Sequence, residues 1–175
     1  MNYFHLFKIP QKFRINKKKL VEKFYKLQLK YHPDFIKKKD LNKKKKILIS
    51  IKINQGFKVL KNKFLRAKHL LKIKKKKYCI KEEKFFNQDQ ILFKQFQLHE
   101  KIENIKKKIN SLTEINNLIE KLNQKIKFYF LKFNEMIKNK KINYAEKFLF
   151  KISFSYKILK KAKKSKKQIL HRNKK

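Results

Sequence analysis

Apolar positions recur along this chain at intervals of three and four, and the clearest early run falls between residues 16 and 34. Leu20, Phe24, Leu27 and Tyr31 share one helical face, while Lys19, Lys23, Lys26 and Lys30 repeat one position earlier, so a single helix carries an apolar stripe beside a basic one. Asn16 is placed to cap its start. Pro33 ends it, because the residue before a proline is pushed out of the right-handed helical region, and His32 and Asp34 then point off a rigid turn. Upstream, Asn2 can cap a short helix through Tyr3, Phe4, Leu6 and Phe7 that Pro10 closes. Downstream, a loop from Phe35 to Asn42 leads to a third helix marked by Ile49, Ile53, Phe57 and Leu60. The two long helices pair antiparallel, with the His-Pro-Asp turn at the loop tip. Gly56 lies inside the third helix, where glycine costs roughly 1 kcal/mol relative to alanine, and close packing is the reason this implies.

Phe64, Ala67 and Leu71 describe a short fourth helix, after which periodicity fades through Lys74-Lys75-Lys76-Lys77 and Glu82-Glu83-Lys84. Helical spacing returns with Leu92, Phe96, His99, Ile102, Ile105 and Ile109. Ser111-Leu112-Thr113-Glu114 reads as a capping box opening a helix through Ile115, Leu118, Leu122, Ile126, Tyr129, Phe133 and Ile137. Asn143 can cap a last helix carrying Ala145, Phe148, Ile152, Tyr156 and Leu159. Beyond Lys160 only Ile169 and Leu170 continue the apolar pattern, and fraying is expected there. The pattern predicts an all-α chain. Residues 1–73 form an antiparallel helical hairpin with flanking short helices, 74–88 a linker, 89–160 an antiparallel three-helix bundle and 161–175 a basic tail.

Composition changes this picture little. With 175 residues, 41% of them hydrophobic, the chain can bury a core. A formal net charge of +41 ordinarily points to nucleic acid or an anionic surface. Here the charge is lysine spread over every segment, alongside depletion of glycine, proline and tryptophan, which is what AT-rich coding does to any protein; a solvated face is the simpler reading. Cys79 is alone, which excludes a disulfide framework and a Cys-x-x-Cys zinc pair and fits a reducing cytoplasm. Runs such as Ile47-Leu48-Ile49 and Phe128-Tyr129-Phe130-Leu131 are far shorter than the ~20 residues that span a bilayer. No export signal precedes the first helix, so a cytoplasmic location and no membrane contact are expected. A single glycine cannot build a phosphate-binding loop, and His5, His32, His69, His99 and His171 lack metal-ligand spacing. No catalytic constellation is present: no enzyme activity, metal or cofactor is expected.

The basic helix, the Tyr31-His32-Pro33-Asp34 turn and the helix after it resemble the J-domain of DnaJ-type co-chaperones. Together with Met1-Asn2-Tyr3-Phe4-His5-Leu6-Phe7, Ile53-Asn54-Gln55 and Arg66-Ala67-Lys68-His69-Leu70-Leu71, they are similar to the HscB family of J-proteins dedicated to iron–sulfur cluster assembly. The resemblance implies a co-chaperone without enzyme activity of its own, which stimulates an HscA/DnaK-type ATPase chaperone. His32, Pro33 and Asp34 would be the trigger, and Lys23, Lys26 and Lys30 the basic contact face. Ile91 to Glu100 is similar to the family segment that binds the IscU-type scaffold. Leu92, Phe93, Phe96 and Glu100 map onto that face, and Phe154 onto an aromatic position of the last helix. Leu92, Phe93 and Phe96 make an apolar surface wider than one packing stripe needs. The chain departs from the family at Lys63, where a proline is usual, at Gln97, where an acidic residue is expected, and at Phe93, in place of a thioether. No Gly/Phe-rich linker or zinc-binding repeat points to a general DnaJ. The alternatives are a basic helical nucleic-acid-binding protein and a J-protein serving the general DnaK chaperone.

Overall fold

Lysine and leucine, both good helix formers, recur along the chain, and the described residues hold seven helices and no strand. The computed structural model describes residues 1–32, 34, 43–78, 88–108 and 111–172; the side chains of 88–92 and 95 lie outside that description. Two compact units result, Met1–Ile80 and Lys81–Lys175.

In the first unit, α1 (Tyr3–Leu6), α2 (Lys17–Tyr31), α3 (Lys43–Lys61) and α4 (Lys63–Lys77) enclose Phe4, Phe7, Phe13, Leu20, Ile53, Leu60, Ala67 and Leu70. Burying each of the larger side chains contributes about 1.5–3 kcal/mol. The predicted caps form: Asn2 Oδ1 accepts from the Phe4 amide at 3.0 Å and Asn16 Oδ1 from the Lys19 amide at 3.1 Å. Asn62 Oδ1 accepts from both Phe64 and Leu65 amides, so α4 starts at Lys63 without the family's proline. Phe24 stacks on Phe57 with centroids 4.0 Å apart, fastening α2 to α3. Gly56 is fully packed. A Cβ there would stand 2.8 Å from Tyr3 Cδ1 and 2.9 Å from Phe7 Cε2, so α1 reaches α3 only because the side chain is missing.

Arg66, 5% exposed, ties three segments together. Its Nε donates to Phe13 O at 2.8 Å, Nη1 donates to Leu60 O, and the guanidinium lies over the Phe13 ring. Burial lowers its pKa from the ordinary arginine value. α4 also runs a turn into the segment expected to be linker, through Lys74–Lys77. Lysine is a good helix former and its charge complements the C-terminal end of the helix dipole. The loop 35–42, Cys79 and the remaining linker to residue 87 lie outside the described residues.

The second unit contains α5 (Gln88–Lys107), α6 (Ser111–Lys138) and α7 (Ile142–Arg172). Three expectations are corrected. First, α7 does not fray at Lys160; it continues to Arg172 because Ala162, Ser165 and Ile169 stay buried, the first two being small residues that extend the seam between the larger apolar ones. Second, Asn143 is inside α7 rather than its cap. The α6–α7 turn is closed by Lys141 N–H to Met136 O at 2.9 Å and Lys140 N–H to Ile137 O at 3.3 Å, which puts the buried Ile142 at the helix start. Third, Ser111 is the first helical residue, not a cap: its Oγ accepts from Arg172 Nη2 at 3.3 Å, and Glu114 receives Lys108 Nζ at 2.9 Å. Phe130 and Leu149 are buried in the α6–α7 unit, whereas Tyr129 and Phe148 are half-buried on its flank. Ile109 lies outside the described residues.

Two stability changes follow. Gly56→Ala is expected to lower the unfolding free energy of the first unit by about 1–3 kcal/mol, the usual overpacking cost, and so its denaturation midpoint, despite alanine's helix preference. An unchanged midpoint would show that Tyr3 and Phe7 can withdraw. Lys140 has a left-handed backbone at φ 58, so Lys140→Gly should stabilise the second unit by about 1 kcal/mol in chemical denaturation. A loss there would contradict this reading of the turn.

Candidate functional site

Two surfaces carry the residues singled out in the sequence, one on each unit. On the first unit, α2 ends where His32 leaves the helical region, at φ −65 and ψ 135, while its N–H still donates to Gln28 O at 2.8 Å. This is the backbone that a following proline demands; Pro33 itself lies outside the described residues. Asp34 N–H donates to His32 Nδ1 at 3.3 Å, and Asp34 Oδ2 is 3.5 Å from the same nitrogen. The Asp34 backbone amide is therefore tied to the imidazole, and both side chains reach solvent, Asp34 at 81% exposure. Gln28 Nε2 donates to Asn54 Oδ1 at 2.7 Å, which ties the last turn of α2 to α3 just before the turn. Lys26 and Lys30 are exposed and Lys23 is half-buried. Lys30 Nζ lies 5.5 Å from the centroid of the Tyr31 ring. The basic stripe thus shares the C-terminal end of α2 with His32 and Asp34.

Elsewhere in the first unit His69, part of the Arg66–Leu71 signature in the sequence, has a structural role. Its Nε2 accepts the Tyr3 N–H at 3.2 Å, and its ring lies against those of Tyr3 and Phe4, with centroids 4.8 and 5.8 Å away. Burial first, then the N-terminal ammonium and Lys72, push its pKa below the ordinary 6.5. It is a neutral acceptor joining α1 to α4. Its pairing with an uncapped amide across 66 positions has no local sequence signal.

On the second unit, α5 is divided into two faces. Ile102 and Ile105 are buried, whereas Phe93, Phe96 and Glu100, spaced three and four apart, fall on the opposite side and are exposed, the two rings at 62% and 67%. Phe96 is therefore not part of the packing stripe in which periodicity places it. The side chain of Leu92 lies outside the described residues. Phe154 is half-buried on α7, and no described contact joins it to Phe93 or Phe96. Glu100 borders a polar cleft of about 310 Å³ that Lys101, Asn104, Lys108 and Glu114 also line. Behind this face, Lys161 Nζ on α7 lies 2.6 Å from His99 Nδ1 and 3.3 Å from Glu103 Oε1. Glu103 also accepts from Lys106, and these two hydrogen bonds, Lys106 first, hold its carboxyl below the usual range.

Among the described residues no group of three or more His, Cys, Asp or Glu side chains could hold a metal, and no helix is long and apolar enough to cross a membrane.

Residues 87–163 match the family model described as the HSCB C-terminal oligomerisation domain. A stretch of 74 residues is 57% identical to the co-chaperone protein HscB of Buchnera aphidicola subsp. Acyrthosiphon pisum (strain Tuc7), covering 41% of each protein. Both matches are to HscB proteins, each over less than half of the chain. HscB of Proteus mirabilis (strain HI4320) is 36% identical over 74 residues, 42% of this chain and 43% of that one. The chain thus aligns with about two fifths of the length of these curated HscB relatives. The fold matches chaperone HscB from Vibrio cholerae at a TM-score of 0.81, covering 97% of this chain and 99% of the other, with 22% identity. Human co-chaperone HscB matches at 0.75, with 95% and 82% covered and again 22% identity. The HscB fold carries an N-terminal J-domain and a C-terminal helical bundle, as expected from the periodicity and the resemblance.

The state of His69 gives a pH dependence. Its pKa is lowered in the folded chain, so its contribution is complete above about pH 6.5 and is lost as the pH falls through 6.5 toward the lowered value, where the unfolded chain takes up a proton first. Chemical denaturation at pH 7.5 and pH 5.5 should show a larger loss for the parent than for His69→Gln, whose side-chain oxygen can still accept from Tyr3. Equal losses would mean that folding does not lower the His69 pKa.

Proposed function

We propose that this chain is a co-chaperone, not an enzyme, that binds an IscU-type iron–sulfur scaffold on its C-terminal bundle and delivers it to an HscA/DnaK-type chaperone while stimulating that chaperone's ATPase. The observation that carries the reading is the end of α2. His32 leaves the helix in extended backbone, Asp34 is hydrogen-bonded to it, and Lys26 and Lys30 flank them in solvent. Lysines at helical spacing steer an acidic surface over several ångström, and a preorganised turn makes short-range contacts at little entropic cost. His32, Pro33 and Asp34 act as the trigger, and Lys23, Lys26 and Lys30 as the docking face. On this reading residues 1–73 are the J-domain and residues 89–160 the scaffold-binding bundle, joined by 74–88. The chain works in the cytoplasm, away from any membrane, and needs no cofactor.

The second surface fits the scaffold. Two phenylalanines more than half exposed on the outer side of a helix are costly to leave in water, and aromatic anchors of this kind dominate interface energies. Leu92, Glu100 and Phe154 complete the proposed grip. Gln97 carries no charge there, so binding relies on apolar contact more than on ion pairing.

Single-turnover ATP hydrolysis by the chaperone of the same organism, with scaffold present, tests the trigger: the chain should accelerate it, and His32→Gln should remove most of the acceleration. Equal rates for both would reduce the turn to a structural feature. Phe93→Ala combined with Phe96→Ala should weaken scaffold binding by calorimetry about tenfold or more, the scale of losing two aromatic anchors, with thermal unfolding unchanged because both rings face solvent.

A further inference from the structure

The C-terminal half of α7 has a use that docking of a chaperone or a scaffold does not absorb. Between Lys147 and Lys175 the sequence has no Asp or Glu. Within that stretch Lys157, Lys160, Lys164 and Lys167 recur at intervals of three, four and three, with Lys163 beside them, and all are exposed. The opposite side of the same helix buries Ile158, Leu159, Ala162, Ser165 and Ile169. The lysines therefore form one solvent-facing ridge on a packed helix rather than a loose basic tail. Its far end is fastened: Arg172 Nη1 donates to Lys106 O at 2.9 Å and Nη2 to Ser111 Oγ at 3.3 Å. The segment 41–81 also lacks carboxylates, but the outer face of α3 is interrupted by Leu48 and Ile51, 55% and 47% exposed.

We propose that this ridge binds the phosphate backbone of a nucleic-acid duplex without reading its sequence. Lys157 to Lys167 covers ten helical steps, about 15 Å at ~1.5 Å each. Five ammonium groups over that length give one cation per about 4 Å, close to the ~3.4 Å of duplex axis per phosphate of one strand. Lysine supplies point charges rather than the bidentate forks that read bases, which suits contact with the backbone alone. A single strand is the poorer fit, since no Phe, Tyr or Trp lies between Lys157 and Arg172 for bases to stack on. A bilayer is also poorer, because the apolar side that would enter lipid is already buried in the bundle.

The test uses the full chain and labelled short duplexes of mixed sequence, one RNA and one DNA, in fluorescence anisotropy across a salt series. One variant carries Lys157, Lys160, Lys164 and Lys167 all changed to Gln. A control of equal charge carries Lys43, Lys44, Lys45 and Lys58, exposed on α3, changed to Gln. The ridge variant should lower the slope of log affinity against log salt by about 3–4, at ~0.9 per phosphate contact, and the control by less than about 1. Thermal unfolding by circular dichroism should be alike for both. A preference between the RNA and DNA duplexes names the source of the phosphates and supports the proposal either way. Equal slope changes in the two variants would overturn it, because binding would then follow net charge alone. Tighter ridge-dependent binding to anionic phospholipid vesicles or to poly-glutamate would also overturn it, in favour of a membrane or an acidic protein.

Discussion

One position without a side chain sets how closely α1 can pack on α3. Gly56 lets the rings of Tyr3 and Phe7 come within van der Waals distance of the α3 backbone, and that contact seats α1 in the first unit. Once α1 is seated, the Tyr3 amide meets His69 on α4, and Phe4 and Phe7 are buried. Arg66, also on α4, then gathers the Phe13 and Leu60 carbonyls. Removing its guanidinium would leave these two carbonyls without that donor, and an unsatisfied buried polar group costs about 1–3 kcal/mol. With its one glycine used for close packing, the chain makes its turns by other means. Asn2, Asn16 and Asn62 cap helices, and Lys8 and Lys140 accept left-handed backbone where glycine would be at ease.

Sequence reasoning found what repeats and missed what depends on distant partners. The spacing of Leu20, Phe24, Ile53, Phe57 and Leu60 identified the α2–α3 hairpin because a hairpin core is periodic on both strands of the pair. The close-packing role of Gly56 was legible because an interior helical glycine needs a reason. The continuation of α7 was not, because Ala162 and Ser165 carry the seam and, one small and the other polar, add little to a stripe of large apolar side chains. The stripe expected at Phe148 and Tyr156 runs instead through Leu149 and Ser155, because adjacent positions can be ranked for burial only once the helix face that meets α6 is known. Asn143 looked like a cap by type alone, while the helix start was set by hydrogen bonds of the turn before it.

The two candidate surfaces are legible to different degrees for a physical reason. A proline after a helix dictates backbone locally, so the exit at His32 could be expected from the sequence without the rest of the fold. Whether Phe93 and Phe96 face the core or solvent depends on which side of α5 meets the bundle, and only the burial of Ile102 and Ile105 decides that. The same separation of faces distinguishes the α7 lysines from the rest of a charge of +41. Their arrangement over buried Ala162 and Ile169, not their number, makes them a surface.

The central claim is that trigger and grip must be covalently joined so that a captured scaffold is brought to the chaperone by the same molecule. It is tested most directly by single-turnover ATP hydrolysis with scaffold titrated in, comparing the intact chain with an equimolar mixture of His32→Gln and Phe93→Ala/Phe96→Ala chains. The account predicts that scaffold and intact chain accelerate hydrolysis synergistically and that the mixture, which holds both functions on separate molecules, does not. A mixture as effective as the intact chain would contradict it, since trigger and grip would then act independently.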